Sequence, residues 1–198
     1  MVLPRVRVLL YAKQKNIEVI VTDHHKPEDR IPQCVAVVNP NQIDCPYPFK
    51  GLCGAGVAFK FALAVAERLS LDLELVWSYA DLVTLGTAAD IVPLVNENRI
   101  IAYYGLKQIR NGKNLGIRAL IGTSKLNPET ITIGQILFWV TPKINAAGRL
   151  GDASRAVKLL TSNNPYHSLK IAEELNKENE KRKLITQNME NEAISMVE

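Results

Sequence analysis

Two short runs of β-branched residues constrain the fold of this chain more than any other feature. Glu18–Thr22 (EVIVT) and Gln33–Asn39 (QCVAVVN) are largely apolar and lack the alternation of a strand with one solvated face. We therefore predict two parallel strands that are covered on both faces. Between Asn39 and Gly54 the chain is rich in Pro, Asn and Gly, which indicates a loop, and Gly56–Leu69 has the pattern of a strong helix.

Helical patterns dominate the rest of the chain. The predicted helices are Val6–Asn16, Leu73–Gly86, Glu97–Arg110, Gly116–Gly122, Thr132–Val140, Ala153–Leu160 and a long one that begins at Pro165. Together these elements predict an α/β fold, in which an incomplete parallel sheet with flanking helices is followed by a helical subdomain and a long C-terminal connector helix. The predicted parts are residues 1–95, 96–163 and 164–198.

Composition excludes several classes of protein. With 47% hydrophobic and 22% charged residues among 198, the chain has enough apolar side chain for a core, so general disorder is excluded. No apolar stretch reaches the ~20 residues that a bilayer span needs, and the first residues lack the pattern of a signal peptide. The three cysteines have no CxxC spacing, which argues against a disulfide framework and predicts a cytoplasmic location.

Charge is unevenly distributed along the chain. Residues 1–163 hold 19 basic and 13 acidic residues, a net charge of +6, whereas residues 164–198 carry a net charge of −2. The positive part permits an anionic partner such as nucleic acid without requiring one. In the predicted connector helix, every residue of Asn176–Lys183 is polar or charged, a pattern typical of a helix that crosses solvent between domains. We therefore expect this helix to lead to a further domain.

Asp23, His24 and His25 directly follow the first predicted strand. In open parallel sheets ligands collect beyond the carboxyl ends of the strands, and imidazole and carboxylate groups at that edge can hold a metal ion. The alternative interpretation is a polar turn that leads the chain out of the strand.

Asp90, within Thr87–Leu94 (TAADIVPL), follows the end of a predicted buried helix. A carboxylate in apolar surroundings is costly unless it is paired or bound to a metal, although a turn-forming aspartate is the alternative. Together with His24, Asp90 would give a mixed nitrogen and oxygen site, which suits Mn²⁺ or Mg²⁺ better than a structural zinc ion.

Two further segments have the composition of anion-binding loops. Gly54 and Gly56 (in GLCGAG) precede a predicted helix, and glycine lets a phosphate group approach the backbone at a helix start. Lys143 and Arg149 flank small residues in a predicted interhelical loop, Pro142–Gly151 (PKINAAGRLG), where arginine suits phosphate binding. A helix entry without ligand and a solvated loop with two cations are the alternatives.

The segments VTDHH, GLCGAGVAFK, GTAADIVPL and PKINAAGRLG occur in the order and at the spacing seen in the DHH phosphoesterase superfamily. Within it, ADIVPL and INAAGR resemble the RecJ family of single-stranded-DNA-specific 5′→3′ exonucleases, and the resemblance runs from about Ala12 to the end of the chain. It implies hydrolysis of phosphodiester bonds of single-stranded DNA with Mn²⁺ or Mg²⁺, in DNA repair and recombination. It also implies partners such as a helicase or a single-stranded-DNA-binding protein.

The resemblance implies roles for individual residues. His24 matches the metal-ligating histidine of the family and Asp90 its last metal-binding aspartate, while Asp23 and His25 match supporting and substrate-facing members of the catalytic set. The implied substrate contacts are Gly54 and Gly56 at a phosphate turn, with Lys143, Asn145 and Arg149 in a strand-contacting segment.

One departure from the family pattern is substantial. The family has an aspartate pair and a further single aspartate upstream of DHH, but the 22 residues before Asp23 contain no aspartate. We therefore expect this chain to be an internal part of a longer protein, without its N-terminal and C-terminal parts, and to be inactive alone. Two alternatives stay open: another DHH phosphodiesterase acting on short oligonucleotides or cyclic dinucleotides, and a catalytically dead module that binds nucleic acid or a partner.

Overall fold

The computed structural model describes residues 3–27, 33–150 and 152–197, which fold into two compact units. The first unit is Met1–Ile101 and the second is Ala102–Glu198, so the division falls inside a helix. In the described ranges, no helix combines the length and the apolar character that a membrane crossing requires.

The first unit contains a two-stranded parallel sheet and helices. Its elements are α1 (Leu3–Gln14), β1 (Ile20–Thr22), β2 (Ala36–Val38), α2 (Gly54–Arg68), α3 (Leu73–Trp77), α4 (Ala80–Ala89) and the start of α5 (Asn96–Asn111). Ile20 pairs with Ala36 and Thr22 pairs with Val38. The predicted α/β class and the parallel pairing of the two β-branched runs are therefore confirmed.

The sheet is more exposed than the sequence predicts. Ile20 in β1 is 48% exposed, and Val35, which immediately precedes β2, is 61% exposed. The prediction of strands covered on both faces is wrong for the described residues, because α2 contacts β1 but leaves much of the strand pair open to solvent. Both strands are also shorter than the runs that predicted them.

The core of the first unit forms where α2, α4 and α5 bring apolar residues together. Its buried members are Phe59, Ala80, Val83 and Ile101. Trp77 at the end of α3 packs edge-on against Phe59, with 5.2 Å between the ring centroids. This core holds α4 against α2, and both helices carry residues of the candidate site.

The single helix predicted over Leu73–Gly86 is wrong, because two helices occupy this segment. At the end of α3, the Ser78 hydroxyl donates to the carbonyl of Leu75 and competes with continuation of the helix. α4 then extends past Gly86, where an added Cβ would lie 2.8 Å from the Cβ of Ala55. Gly86 therefore serves the close packing of α4 on α2 and does not end the helix.

The second unit is helical throughout its described part. After the remainder of α5 come α6 (Leu115–Thr123), a 3₁₀ turn (Pro128–Thr130), α7 (Ile133–Gln135), a π-helical turn (Ile136–Val140), α8 (Thr141–Leu150), α9 (Ser154–Leu160) and α10 (Pro165–Val197). The first half of α10 packs against α6 and α8, and Ile171, Ala172 and Leu175 are buried there.

The loop predicted over Pro142–Gly151 is wrong, because α8 occupies Thr141–Leu150. The preceding turn is π-helical, and the N–H of Thr141 donates to the carbonyl of Ile136, five residues earlier. Proline has no N–H to donate and clashes with the carbonyl four residues before it in a regular α-helix. The wider turn carries the helix past Pro142.

The polar segment Asn176–Lys183 is partly packed against the second unit, whereas the sequence predicts that it crosses solvent. Asn179 is buried, and Arg155 of α9 makes a two-pronged ion pair with Glu178 at 2.7 and 2.8 Å. This part of α10 therefore belongs to the second compact unit. The division at 95/96 and 163/164, with a connector role for α10, stays a prediction.

Candidate metal centre

The Asp23–His24–His25 turn is fixed by the end of β1. The N–H of Asp23 still donates to Val38 of β2, at 3.0 Å, so the strand pair continues to this residue. The carboxylate of Asp23 then accepts from the N–H groups of His24 (2.8 Å) and His25 (3.2 Å). This turn places three side chains that could hold a metal ion side by side at the carboxyl end of the strand.

The three side chains form a compact cluster. One ligand atom from each of Asp23, His24 and His25 can be chosen so that all lie within 4.8 Å of one another. The His25 Nδ1 is 2.7 Å from Asp23 Oδ1, which is the arrangement by which a carboxylate orients an imidazole, and the two imidazole rings lie 4.2 Å apart. His25 is largely exposed, whereas Asp23 and His24 are half-buried.

Asp90 reaches this cluster from the end of α4. It is the C-terminal cap of that helix, and its Oδ2 lies 3.3 Å from the Nδ1 of His24. Adjacent ligands of a divalent ion with bonds of ~2.1 Å are separated by roughly 3 Å, so the pair fits one coordination sphere. Ile91, the next residue, has a φ of 54°, a left-handed conformation that a β-branched residue adopts only under strain.

Two asparagines that the sequence analysis missed hold this turn from the other strand. Asn39 and Asn41 follow β2, and their amide groups donate to the carbonyls of His25 (2.9 Å) and His24 (2.6 Å). Asn41 also donates its N–H to the side chain of Asn39, at 2.9 Å. The sequence does carry a signal for this role, since both asparagines closely follow the second strand. The carboxyl ends of parallel strands lie at the same edge of a sheet, so these residues are close to the Asp23–His25 turn.

Gly54, the first residue of α2, lies against the ring of His24. A Cβ added at this position would lie 3.3 Å from Cδ2 and 3.7 Å from Nε2 of His24. The N–H of Gly56 donates to the sulfur of Cys53, which caps α2. Close backbone approach at Gly54 is therefore supported, whereas the Gly56 amide already has a partner within the chain.

Asn98 is a further residue that the sequence analysis missed. It lies in α5, is 1% exposed, and donates to the carbonyls of Gly51 (2.7 Å) and Pro93 (2.9 Å). Gly51 lies three residues before Gly54, and Pro93 lies three residues after Asp90. The Oδ1 of Asn98 is buried without a hydrogen-bond partner among the described residues. An asparagine in the first turn of an amphipathic helix gives no sequence signal for this role.

The structure places Lys143 differently from the prediction. It lies in α8 of the second unit, is 3% exposed, and its Nζ donates to the hydroxyls of Thr123 (2.9 Å) and Ser124 (2.7 Å). Burial lowers the pKa of Lys143 to about 8. Its ammonium group therefore links α8 to the end of α6. The predicted loop around Lys143 is a helix and its side chain is buried, while a contact with substrate stays a prediction.

The other two predicted contacts of the second unit also lie in α8. Asn145 is exposed, and Arg149 is in the last turn of the helix, with its side chain outside the described part of the chain. Asp23, His24, His25, Gly54 and Asp90 are thus brought together in the first unit, while Lys143, Asn145 and Arg149 belong to the second.

The donor set of the first unit suits a hard divalent cation. Two carboxylates and two imidazoles, with no thiolate among the cluster, favour Mn²⁺ or Mg²⁺ over a structural zinc ion. His24 and Asp90 are also oriented by backbone contacts that need no ion, since the turn at Asp23 and the end of α4 fix them. The residues present therefore fit a metal of this kind.

Comparison with known proteins agrees with the geometry. Residues 4–87 match the DHH family, N-terminal domain. The single-stranded-DNA-specific exonuclease RecJ of Bacillus subtilis is 41% identical over 192 residues, covering 94% of this chain and 23% of that protein. The RecJ of Salmonella typhimurium is 41% identical over 198 residues, covering 95% of this chain and 34% of that protein.

Solved structures give the same result. A crystal structure of exonuclease RecJ bound to manganese matches 95% of this chain and 47% of that one, with a TM-score of 0.84 and 33% identity. RecJ from Thermus thermophilus in complex with Mn²⁺ matches 89% of this chain and 26% of that one, with a TM-score of 0.78 and 35% identity. The chain spans about a quarter to a third of the length of the curated relatives. Residues 4–87 therefore match the DHH family, N-terminal domain, and the chain is similar over nearly its whole length to a part of the RecJ exonucleases.

Proposed function

We propose that this chain forms part of a metal-dependent exonuclease that hydrolyses phosphodiester bonds of single-stranded DNA in the 5′→3′ direction. The observation that carries the proposal is the 3.3 Å approach of Asp90 to His24 at the carboxyl end of a parallel strand. The names of the relatives, single-stranded-DNA-specific exonucleases, support the reaction and the substrate.

His24 and Asp90 are the proposed ligands of Mn²⁺ or Mg²⁺. An ion of this kind, when bound, activates water and stabilises the charge that develops on the phosphodiester oxygens. Asp23 fixes the ring of His25 through Nδ1, so the exposed edge of His25 can meet substrate. The matching structures of RecJ, which are complexes with Mn²⁺ or Mg²⁺, support the choice of ion.

We assign the proposed substrate contacts from which backbone and side-chain groups are accessible. Gly54 lets a phosphate group approach the start of α2 beside His24, and Gly56 contributes by its small size, since its amide is engaged. Asn145 and Arg149 are proposed to contact the strand from α8. Lys143 acts by positioning α8.

The 198-residue chain is proposed to be inactive by itself. The described residues hold one cluster of three potential ligands, with Asp90 beside it. A two-metal displacement needs more carboxylate ligands than these. The purified chain should release no nucleotides from 5′-labelled single-stranded DNA with Mn²⁺. Robust release that is lost in Asp90→Ala would contradict this count of ligands.

A Mn²⁺ titration followed by electron paramagnetic resonance tests the ligand assignment. His24→Ala and Asp90→Ala should each weaken binding by about tenfold or more, because each removes one of few protein ligands. Glu67→Ala, which removes an exposed carboxylate from α2, is the matched control. Equal dissociation constants for the wild-type chain and both site variants would refute the assignment.

A chimaera tests the nuclease function. This chain replaces the matching segment of the Bacillus subtilis relative, to which it is 41% identical. The chimaera should degrade single-stranded DNA from the 5′ end with Mn²⁺, and His24→Ala should abolish this activity. A folded chimaera that binds single-stranded DNA without cleaving it would favour the catalytically dead binding module instead.

The proposed function also suggests a biological process, partners and a location for this chain. The relatives' activity suits DNA repair and recombination, with a helicase or a single-stranded-DNA-binding protein as partner. A cytoplasmic location agrees with cysteines that form no disulfide within the described ranges, namely Cys34, Cys45 and Cys53. Co-purification of the tagged chain with a helicase or a single-stranded-DNA-binding protein is the measurement that checks the proposed partners.

A further inference from the structure

Two consecutive aromatic residues are exposed on the π-helical turn. Phe138 is 72% exposed and Trp139 is 53% exposed, whereas their neighbours Ile136 and Val140 are buried. Burying an aromatic ring is strongly favourable, so two adjacent rings left in solvent mark an interaction surface. We call Phe138, Trp139 and the nearby Lys183 the aromatic platform.

The backbone under the platform is held firmly. The hydroxyl of Ser124 donates to the carbonyl of Trp139 at 3.1 Å, and Lys143 donates to that same hydroxyl at 2.7 Å. A reciprocal capping box between Thr132 and Gln135 fixes the start of the turn. A rigid binding surface loses less of its own conformational entropy when a ligand binds, and π-helical turns are often found at functional sites.

A cation completes the platform. The Nζ of Lys183, in α10, lies 5.7 Å from the centroid of the Trp139 ring and 3.0 Å from a carboxylate oxygen of Glu180. The ammonium group lies over one face of the Trp139 ring, where it supplies a charge for a phosphate, so a base would stack on the opposite face.

The positive net charge of the second unit favours an anionic partner. Residues 102–198 contain 14 basic and nine acidic residues, a net charge of +5, whereas residues 1–101 contain ten basic and eleven acidic residues, a net charge of −1. A polyanion is therefore attracted to the part of the chain that carries Phe138 and Trp139. An apolar protein partner would gain nothing from this charge.

We propose that the aromatic platform binds single-stranded nucleic acid by stacking bases on Phe138 and Trp139, and that this binding needs no metal ion. The inference rests on the proposed function for the class of substrate. It adds a second contact surface, in the second unit, whose recognition is through base faces and independent of sequence.

Intrinsic fluorescence tests the proposal, because the chain has two tryptophans, Trp77 and Trp139. In Trp77→Phe, the emission comes from Trp139 alone. Titration with a thymidine oligonucleotide in EDTA should quench this emission. An abasic oligomer of the same length and charge should bind more weakly and leave the emission unchanged, since it has phosphates but no bases to stack.

Affinity measurements with variants give a second readout. Phe138→Ala and Trp139→Ala should each weaken binding of the oligonucleotide by about tenfold, as removal of a stacking ring does in single-strand-binding proteins. Tyr166→Ala removes an equally exposed ring, 78% exposed, from the same unit and is the matched control. Lys183→Ala should lower the slope of log affinity against log salt concentration by about 0.7, since one phosphate contact is lost.

The outcomes separate this inference from the function on which it rests. Equal quenching by the abasic oligomer, or unchanged affinity in both ring variants, overturns the platform. Binding of an apolar probe in place of the oligonucleotide overturns it as well. Since all titrations contain EDTA, a failed Mn²⁺ titration or an inactive chimaera would refute the proposed nuclease while leaving a positive platform result intact.

Discussion

Gly54 lies so close to the imidazole of His24 that an added Cβ would stand 3.3 Å from the ring carbon Cδ2. This contact joins the start of α2 to the candidate metal ligand, and it explains why the residue at this position has no side chain. The ring of His24 is thus bounded on one side by backbone and on the other by Asp90.

Gly54→Ala should weaken Mn²⁺ binding by about tenfold without lowering the free energy of unfolding. The new methyl group pushes the ring of His24 by a few tenths of an ångström, and shifts in the surroundings of a ligand cost affinity. Alanine also favours the helical backbone over glycine. Gly122→Ala, where an added Cβ meets nothing within 4 Å, is the control. A Mn²⁺ titration and urea unfolding check both parts, and an unchanged Mn²⁺ affinity would contradict the contact.

Asn98→Ala should lower the free energy of unfolding by about 1–3 kcal/mol and weaken Mn²⁺ binding together with it. The variant leaves the carbonyls of Gly51 and Pro93 without their donor, and buried unpaired polar groups cost about this much. The two loops that flank the centre then lose their common anchor. Asn188→Ala, on the exposed face of α10, controls for the loss of an amide. A stability loss with unchanged Mn²⁺ affinity would reduce Asn98 to a purely structural residue.

Lys143→Met should remove a pH dependence of stability between about pH 8 and 10.5. The folded-state pKa of Lys143, about 8, lies below its ordinary value of 10.5, so the unfolded chain binds more protons in this window. The wild-type chain therefore gains stability as pH rises through it, on the order of 1–3 kcal/mol relative to the variant. Urea unfolding at pH 7, 9 and 10.5 measures this, with Lys181→Met as the exposed-lysine control. A constant difference across the range would mean that the ammonium group is not buried.

Gly116→Ala should destabilise the second unit by about 1–3 kcal/mol. A Cβ at this position would collide with the carbonyl oxygen of Leu159 and lie 3.1 Å from the Cα of Leu160, so α6 and α9 would have to move apart. The same substitution at Gly122, in the same helix, should instead add about 0.5–1 kcal/mol through helix propensity. Thermal unfolding of both variants measures the contrast, and equal effects would show that α9 adjusts freely.

Much of the candidate centre could be predicted because it depends on local rules. Side chains at the ends of parallel strands and buried helices converge, and this placed His24 beside Asp90 across 65 intervening positions of sequence. The parallel pairing of β1 and β2 followed from their β-branched composition. The anchors Asn39, Asn41 and Asn98 were missed because their role is to meet distant carbonyls, which a sequence pattern does not record.

The errors have a common physical origin in tertiary contacts. Pro142 predicts the end of a helix, but a π-helical turn accommodates it. Lys143 is predicted to lie in an interhelical loop, but it lies in α8, where its ammonium group donates to the hydroxyls of Thr123 and Ser124. Ile20 and Val35 predict coverage on both faces, yet α2 shields only part of the strand pair. In each case the sequence predicts the local structure or burial of a residue, and contacts with a neighbouring element change it.

The π-helical turn over Ile136–Val140 also has a consequence for sequence alignment. Such a turn holds one residue more than the α-helical turn it replaces. A relative with a regular α-helix here would reach the positions equivalent to Lys143 and Ala146 with one residue fewer. Single-residue gaps in an alignment of these chains therefore belong within this helix, where gaps are usually forbidden, and placing them in the flanking loops would shift every residue of α8 out of correspondence.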